Sequence, residues 1–72
     1  MGTRKWTHKV VKKQLGTNGR WFSHPTAATF DHYDLALVYA NHFAAAQREM
    51  KVTGTRICVV QRNGDVVCDL AV

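Results

Sequence analysis

The stretch RICVVQRNGDVVCDLAV, residues 56–72, carries the strongest topological signal in the chain. Two runs rich in β-branched residues flank Asn63-Gly64, and Asn and Gly accept the positive φ angles that a tight hairpin requires. A two-residue turn there sets Arg62 opposite Asp65, Gln61 opposite Val66, Val59 opposite Cys68 and Ile57 opposite Leu70. Alternation then puts Ile57, Val59, Cys68 and Leu70 on one face, with Cys58, Val60, Val67 and Asp69 on the other. The two cysteines fall on opposite faces, so a disulfide between them contradicts this register.

Working upstream, FDHYDLALVYANHFAAAQREM (30–50) predicts a helix over about 32–50, rich in Ala and Leu. Asp31 suits the N-cap, Asp34 falls at N3, and Phe30 and Leu35 take the positions of a hydrophobic staple. At 100° per residue, Ala36, Tyr39, Ala40, Phe43, Ala46 and Met50 share the core-facing stripe. Asp34, Asn41, Arg48 and Glu49 lie opposite. Gly54 ends the segment.

Further upstream, KWTHKVVKKQLGTNGRWFSHP (5–25) reads as a second hairpin, turning at Asn18-Gly19 and ending before Pro25. The order is β-β-α-β-β. It predicts an α+β domain, a four-stranded antiparallel sheet of order 2-1-3-4 with one helix on one face and a right-handed crossover. A two-residue first turn turns Lys9, Val11 and Lys13 outward and separates His8 from His24 onto opposite faces. A slip of one residue there would expose Trp6, Val10 and Lys12 instead.

Seventy-two residues suffice for one small basic domain, residues 1–72, without a cleft between domains. The net charge of +5 is unevenly placed. Arg4, Lys5, Lys9, Lys12, Lys13 and Arg20 precede residue 31 with no acid among them, whereas residues 31–72 hold four bases and five acids. Such a patch attracts phosphates or acidic protein surfaces, or simply blunts a strand edge. No apolar run suits a signal peptide or a membrane span, and Trp6 replaces the Ser or Thr of a myristoylation signal. Free thiols in a reducing, cytoplasmic setting are the economical reading of two cysteines, with no membrane partner.

The chain offers no catalytic constellation: no Ser-His-Asp spacing, no Gly-rich phosphate loop and no paired carboxylates. Asp69 across from Cys58 would make that thiol less reactive. His32 and His42, ten residues apart on a helix, stand about 15 Å from one another and cannot share a metal. No enzyme activity, metal or cofactor is expected.

The basic hairpin remains. Lys5, Lys9, Lys12, Lys13 and Arg20 suit phosphates, and Trp6 or Trp21 could stack on bases, although each aromatic also suits a core. A second surface, Leu37 and Val38 on the helix with Val60 and Val67 on the sheet, suits a partner protein or another copy of the chain. The aromatic basic hairpin followed by TFDHYDLALVYANHFA, within residues 4–47, resembles small sheet-and-helix DNA-binding modules such as the arm-type domains of phage integrases. The likeness is in strand-helix order alone, and those domains carry three strands before the helix. The leading expectation is a non-enzymatic module binding DNA or RNA through the first hairpin. The competing readings are an accessory factor or inhibitor of phage or mobile-element type that occupies a partner's acidic surface, and a subunit of a homo-oligomer.

Overall fold

A computed structural model describes residues 6–72 of the chain. Lys5 lies outside the described residues. The central strand is β1 (His8–Leu15), paired antiparallel along one edge with β4 (Thr55–Gln61) from His8↔Gln61 to Gln14↔Thr55. The outer strand β5 (Val66–Ala71) pairs with β4. Along the other edge of β1 lie β2 (Trp21–Ser23) and β3 (Ala28–Phe30), end to end. The sheet therefore has five strands in the order β2-β1-β4-β5, with β3 also on β1, and the β-β-α-β-β plan holds with its second strand split. Three strand segments precede the helix, two of them sharing one edge of β1, and β4 and β5 complete the sheet.

Pro25 explains the split. Lys13 pairs with Ser23 and Val10 with Ala28, so four residues on the outer side (24–27) lie across from two on β1 (Val11 and Lys12). Proline has no amide hydrogen for the ladder. The chain bows out around it, and the His24 and Ala27 amides donate to the Lys12 and Val10 carbonyls (2.8 and 2.9 Å).

Both Asn-Gly turns are three residues long, one more than expected. In the first, the Gly16 amide donates to Arg20 O (2.8 Å) and the Gly19 amide to Gly16 O (3.0 Å). The second repeats this with Gln61, Asp65 and Gly64. In each, the Asn side-chain oxygen accepts the amide two residues on, Arg20 or Asp65, at 3.0 Å. That local bond holds Asn at negative φ, and only Gly19 (φ 80°) and Gly64 (φ 98°) enter the left-handed region. In the C-terminal hairpin a β-bulge absorbs the extra residue: Val60 pairs with Val66, and Val59↔Cys68 and Ile57↔Leu70 stand as expected. Gln61 therefore faces Asp65 rather than Val66, and Val67 is the bulged residue. The first hairpin has no such bulge beside its turn, so Leu15 pairs with Trp21 and Gln14 with Phe22.

The helix α1 (Tyr33–Glu49) starts later than expected. His32 is its N-cap, with no side-chain cap bond, so Asp31 stands one residue outside and Asp34 at N2. Its buried stripe is Ala36, Ala40, Ala44 and Gln47, rotated from the expected one. Ala44 is in the core, whereas Ala46 is exposed and Met50 is 69% exposed. The cause is closeness of approach. Alanines at i, i+4 and i+8 form a thin ridge that lies against Val10, Ile57 and Val59, and the bulkier rings sit beside that ridge. Tyr39 packs between Phe30 and Phe43, with ring centroids 5.4 and 6.0 Å apart. Among the described residues no helix is long and apolar enough to cross a membrane.

The helix ends in a Schellman motif: the Lys51 amide donates to Arg48 O (2.9 Å) and the Val52 amide to Gln47 O (3.1 Å). Lys51 occupies the left-handed position, at φ 58°. A side chain there costs about 1–2 kcal/mol, partly offset by glycine's greater freedom when unfolded. Lys51→Gly should therefore stabilise the domain by roughly 0.5–1 kcal/mol, a rise of about 3–6 °C in Tm. Calorimetry showing no rise would contradict this reading of the cap.

Candidate functional site

The helix covers one face of the sheet and leaves the other open. Register decides which side chains share that open face. Val11 lies opposite Cys58, Lys9 opposite Val60 and Lys13 opposite Arg56, and Val11, Cys58 and Val60 form a small apolar cluster of their own. Lys9 and Lys13 therefore stand on the open face, as a two-residue turn would also have placed them. Lys12 does not. It pairs with Ile57, whose side chain is buried under the helix, so the lysines of the hairpin divide between two faces. Arg20 sits in the first turn, beyond the end of β1.

Two cation–indole clusters mark the ends of the face. At one end Trp6 has the Arg62 guanidinium 4.7 Å and the Lys9 ammonium 5.8 Å from its ring centroid, and Arg62 also donates to Trp6 O (3.1 Å). At the other end Trp21 is 47% exposed, with Arg56 5.7 Å from its ring. Trp21 is thus an exposed platform and Trp6 a half-buried one, whereas Phe30 joins the helix-side core. From Lys9 to Leu15, the partner of Trp21, is six residues, or about 20 Å of strand. Between the clusters runs a groove of about 400 Å³ with Val11 and Val60 in its floor. Lys9, Lys13, Ser23 and the Pro25 bow are on its sides. The stems of the lysines and the bow shield the floor, so Val60 is buried although, among the described residues, no second layer covers it.

Charge on this face is one-sided. Lys9, Lys13, Arg56 and Arg62 are met by one strand carboxylate, Asp69, which pairs with Arg56 at 3.1 Å. Lys13 and Arg56 stand directly across from one another, a like-charged pair that weakens a sheet. Arg56 and Arg62 escape a reading that looks for basic residues close together in sequence. Alternation could have found them, because both share parity with Cys58 and Val60.

The residues of the second surface fall on two sides of the molecule, as their alternation implies, and Val67 is exposed on β5. Leu37 and the exposed Val38 ride on the helix, while Val60 is buried in the floor of the opposite face, and Val66, not Val67, lies across from it.

The thiols and imidazoles have other surroundings. Cys58 is buried, and burial pushes its thiol pKa up, with the Asp69 carboxylate adding to the rise. It is a poor nucleophile. Cys68 lies on the helix side, so the two thiols are on opposite faces and both are free. The longer first turn brings His8 and His24 to the same face, contrary to the tight-turn expectation, but not together. His8 packs on Tyr33, and His24 Nε2 donates to Gln14 Oε1 (2.8 Å). Among the described residues no three His, Cys, Asp or Glu side chains converge on a point where a metal could bind.

Comparison with protein-family models, with curated proteins and with solved structures gives no match. The open face itself offers cations that can hold phosphate oxygens and two indoles that can stack on flat rings.

Proposed function

We propose that the protein is a non-enzymatic nucleic-acid-binding module and that its contact surface is the open face of the sheet. The observation that carries this reading is Lys13 set against Arg56 across adjacent strands, a pair that Asp69 balances on the Arg56 side alone, with Lys9 and Arg62 further along the same face. A fold selected for stability alone gains from opposite charges at such a pair. A polyanion offsets the repulsion, and the exposed Trp21 and half-buried Trp6 indoles add stacking surface for bases.

The test is binding of labelled DNA and RNA oligonucleotides as a function of salt. With about four phosphates engaged, log affinity should fall against log salt with a slope near −3 to −4. Between roughly 50 and 200 mM salt that is a loss of about 60-fold or more. Absence of binding at low salt would reject nucleic acid, and would leave an acidic protein surface as the partner these cations fit.

A further inference from the structure

Resting on that reading, we propose that a concavity beside Trp6 is a base pocket that selects guanine in an unpaired strand. The pocket, about 330 Å³, is lined by Trp6, Thr29, Phe30, Asp31 and Leu35. Its volume is at the small end of the roughly 300–1,000 Å³ of small-molecule sites, suiting one flat ring system better than a larger ligand.

Three features converge on a base. Trp6, Phe30 and Leu35 provide apolar walls of the kind on which a base stacks. Lys9 and Arg62 are not part of the lining but stand on the Trp6 ring, 5.8 and 4.7 Å from its centroid, and supply cations beside the pocket for the phosphates of a bound strand. The third feature is Asp31. Because the helix begins at Tyr33 with His32 as its cap, Asp31 stands outside the cap position and is among the residues that line the pocket.

A carboxylate in a site for a polyanion is unfavourable unless it recognises something. An ionised carboxylate only accepts hydrogen bonds. Guanine offers two adjacent donors on its pairing edge, N1–H and the N2 amino group, which match the two oxygens of one carboxylate. Adenine and cytosine present one amino donor beside a ring acceptor, and uracil presents its N3–H between two carbonyls. In a duplex both guanine donors are engaged by cytosine, so the pocket reads only an unpaired base. The sheet also resists duplex binding. Four strands about 4.8 Å apart are about 14 Å wide before side chains are counted, against a major groove of about 12 Å.

The experiment compares a short uridine tract with the same tract carrying one central guanine, inosine, adenine or cytosine, by fluorescence anisotropy at low salt. Guanine should bind roughly tenfold more tightly than the all-uridine tract, the lower range for a bidentate contact. Inosine, which keeps N1–H and lacks the amino group, should fall between. Asp31→Asn should bring the guanine tract to the all-uridine level while all-uridine binding stays equal or tightens, since a negative charge has gone. Asp31 is exposed and outside the helix, and an unchanged Tm will confirm that the variant folds.

Equal affinity for all tracts, or a guanine preference that survives Asp31→Asn, would overturn the pocket and leave the basic face standing. The same guanine in a duplex binding as tightly, or free guanosine monophosphate binding as tightly as the tract, would overturn the assignment to an unpaired strand. Failure of every tract at low salt would bring down the nucleic-acid reading together with the pocket.

Discussion

Ile57→Ala should cost about 3 kcal/mol, within the range of about 2–5 for an aliphatic side chain cut back in a core. The expected size follows from its neighbours. Ile57 is fully buried on β4, between Lys12 on β1 and Leu70 on β5, beneath the alanine ridge of the helix. Alanine methyls are too short to fill the space vacated, and the helix backbone already lies close to the sheet. A domain of this length has about 4–11 kcal/mol in total, so the loss is a large share. Thermal denaturation should show a fall in Tm of roughly 12–24 °C. Val11→Ala, in the groove floor on the open face, should cost far less, because water and the lysine stems can close over it. If Ile57→Ala cost less than about 1 kcal/mol, the core would have to lie elsewhere.

The second large effect compares neighbours in sequence. Lys12→Glu and Lys13→Glu change net charge equally, but the two residues stand on opposite faces of the sheet. Lys13→Glu should weaken oligonucleotide binding at least about tenfold and flatten the salt slope by one unit or more. Lys12→Glu should weaken it by no more than about threefold, because a charge behind the sheet is screened over a Debye length of about 8–10 Å. Stability should move the other way. Glutamate at 13 would face Arg56, which it would share with Asp69, and replace repulsion by attraction, a gain at the low end of roughly 0.2–1 kcal/mol. A variant that gains stability while losing affinity would mark the position as one held for binding. Equal losses from the two variants would dismiss the open face as the contact surface.

Much of the architecture was legible from local chemistry. Asn63-Gly64 between β-branched runs placed the last hairpin, the Ala-rich segment placed the helix, and strand order followed from which connections can be short. The bulge at Val59/Val60 shows why the register of Ile57 and Leu70 came out right although the turn length did not: one extra residue in the turn was cancelled by one in the ladder. The helix phase was not legible. Periodicity admits several stripes on a segment with apolar residues all round, and the choice among them depends on which row packs closest to the sheet. Trp6 and Trp21 equally could not be placed by residue type, since an indole suits a core or a surface, and only the ends of β1 decide.

The chain's own residue order settles that a basic strand lies at the centre of an antiparallel sheet with a helix on one side, because turn chemistry and apolar patterning act over a few neighbouring residues. Which cations stand together is a matter of tertiary pairing. Lys12 and Lys13 are adjacent along the chain and divided by the sheet, whereas Arg56 and Arg62, more than forty residues later than Lys13, reach the same face through the pairing of β4 with β1. Alternation of side chains across a strand separates what sequence joins, and antiparallel pairing joins what sequence separates.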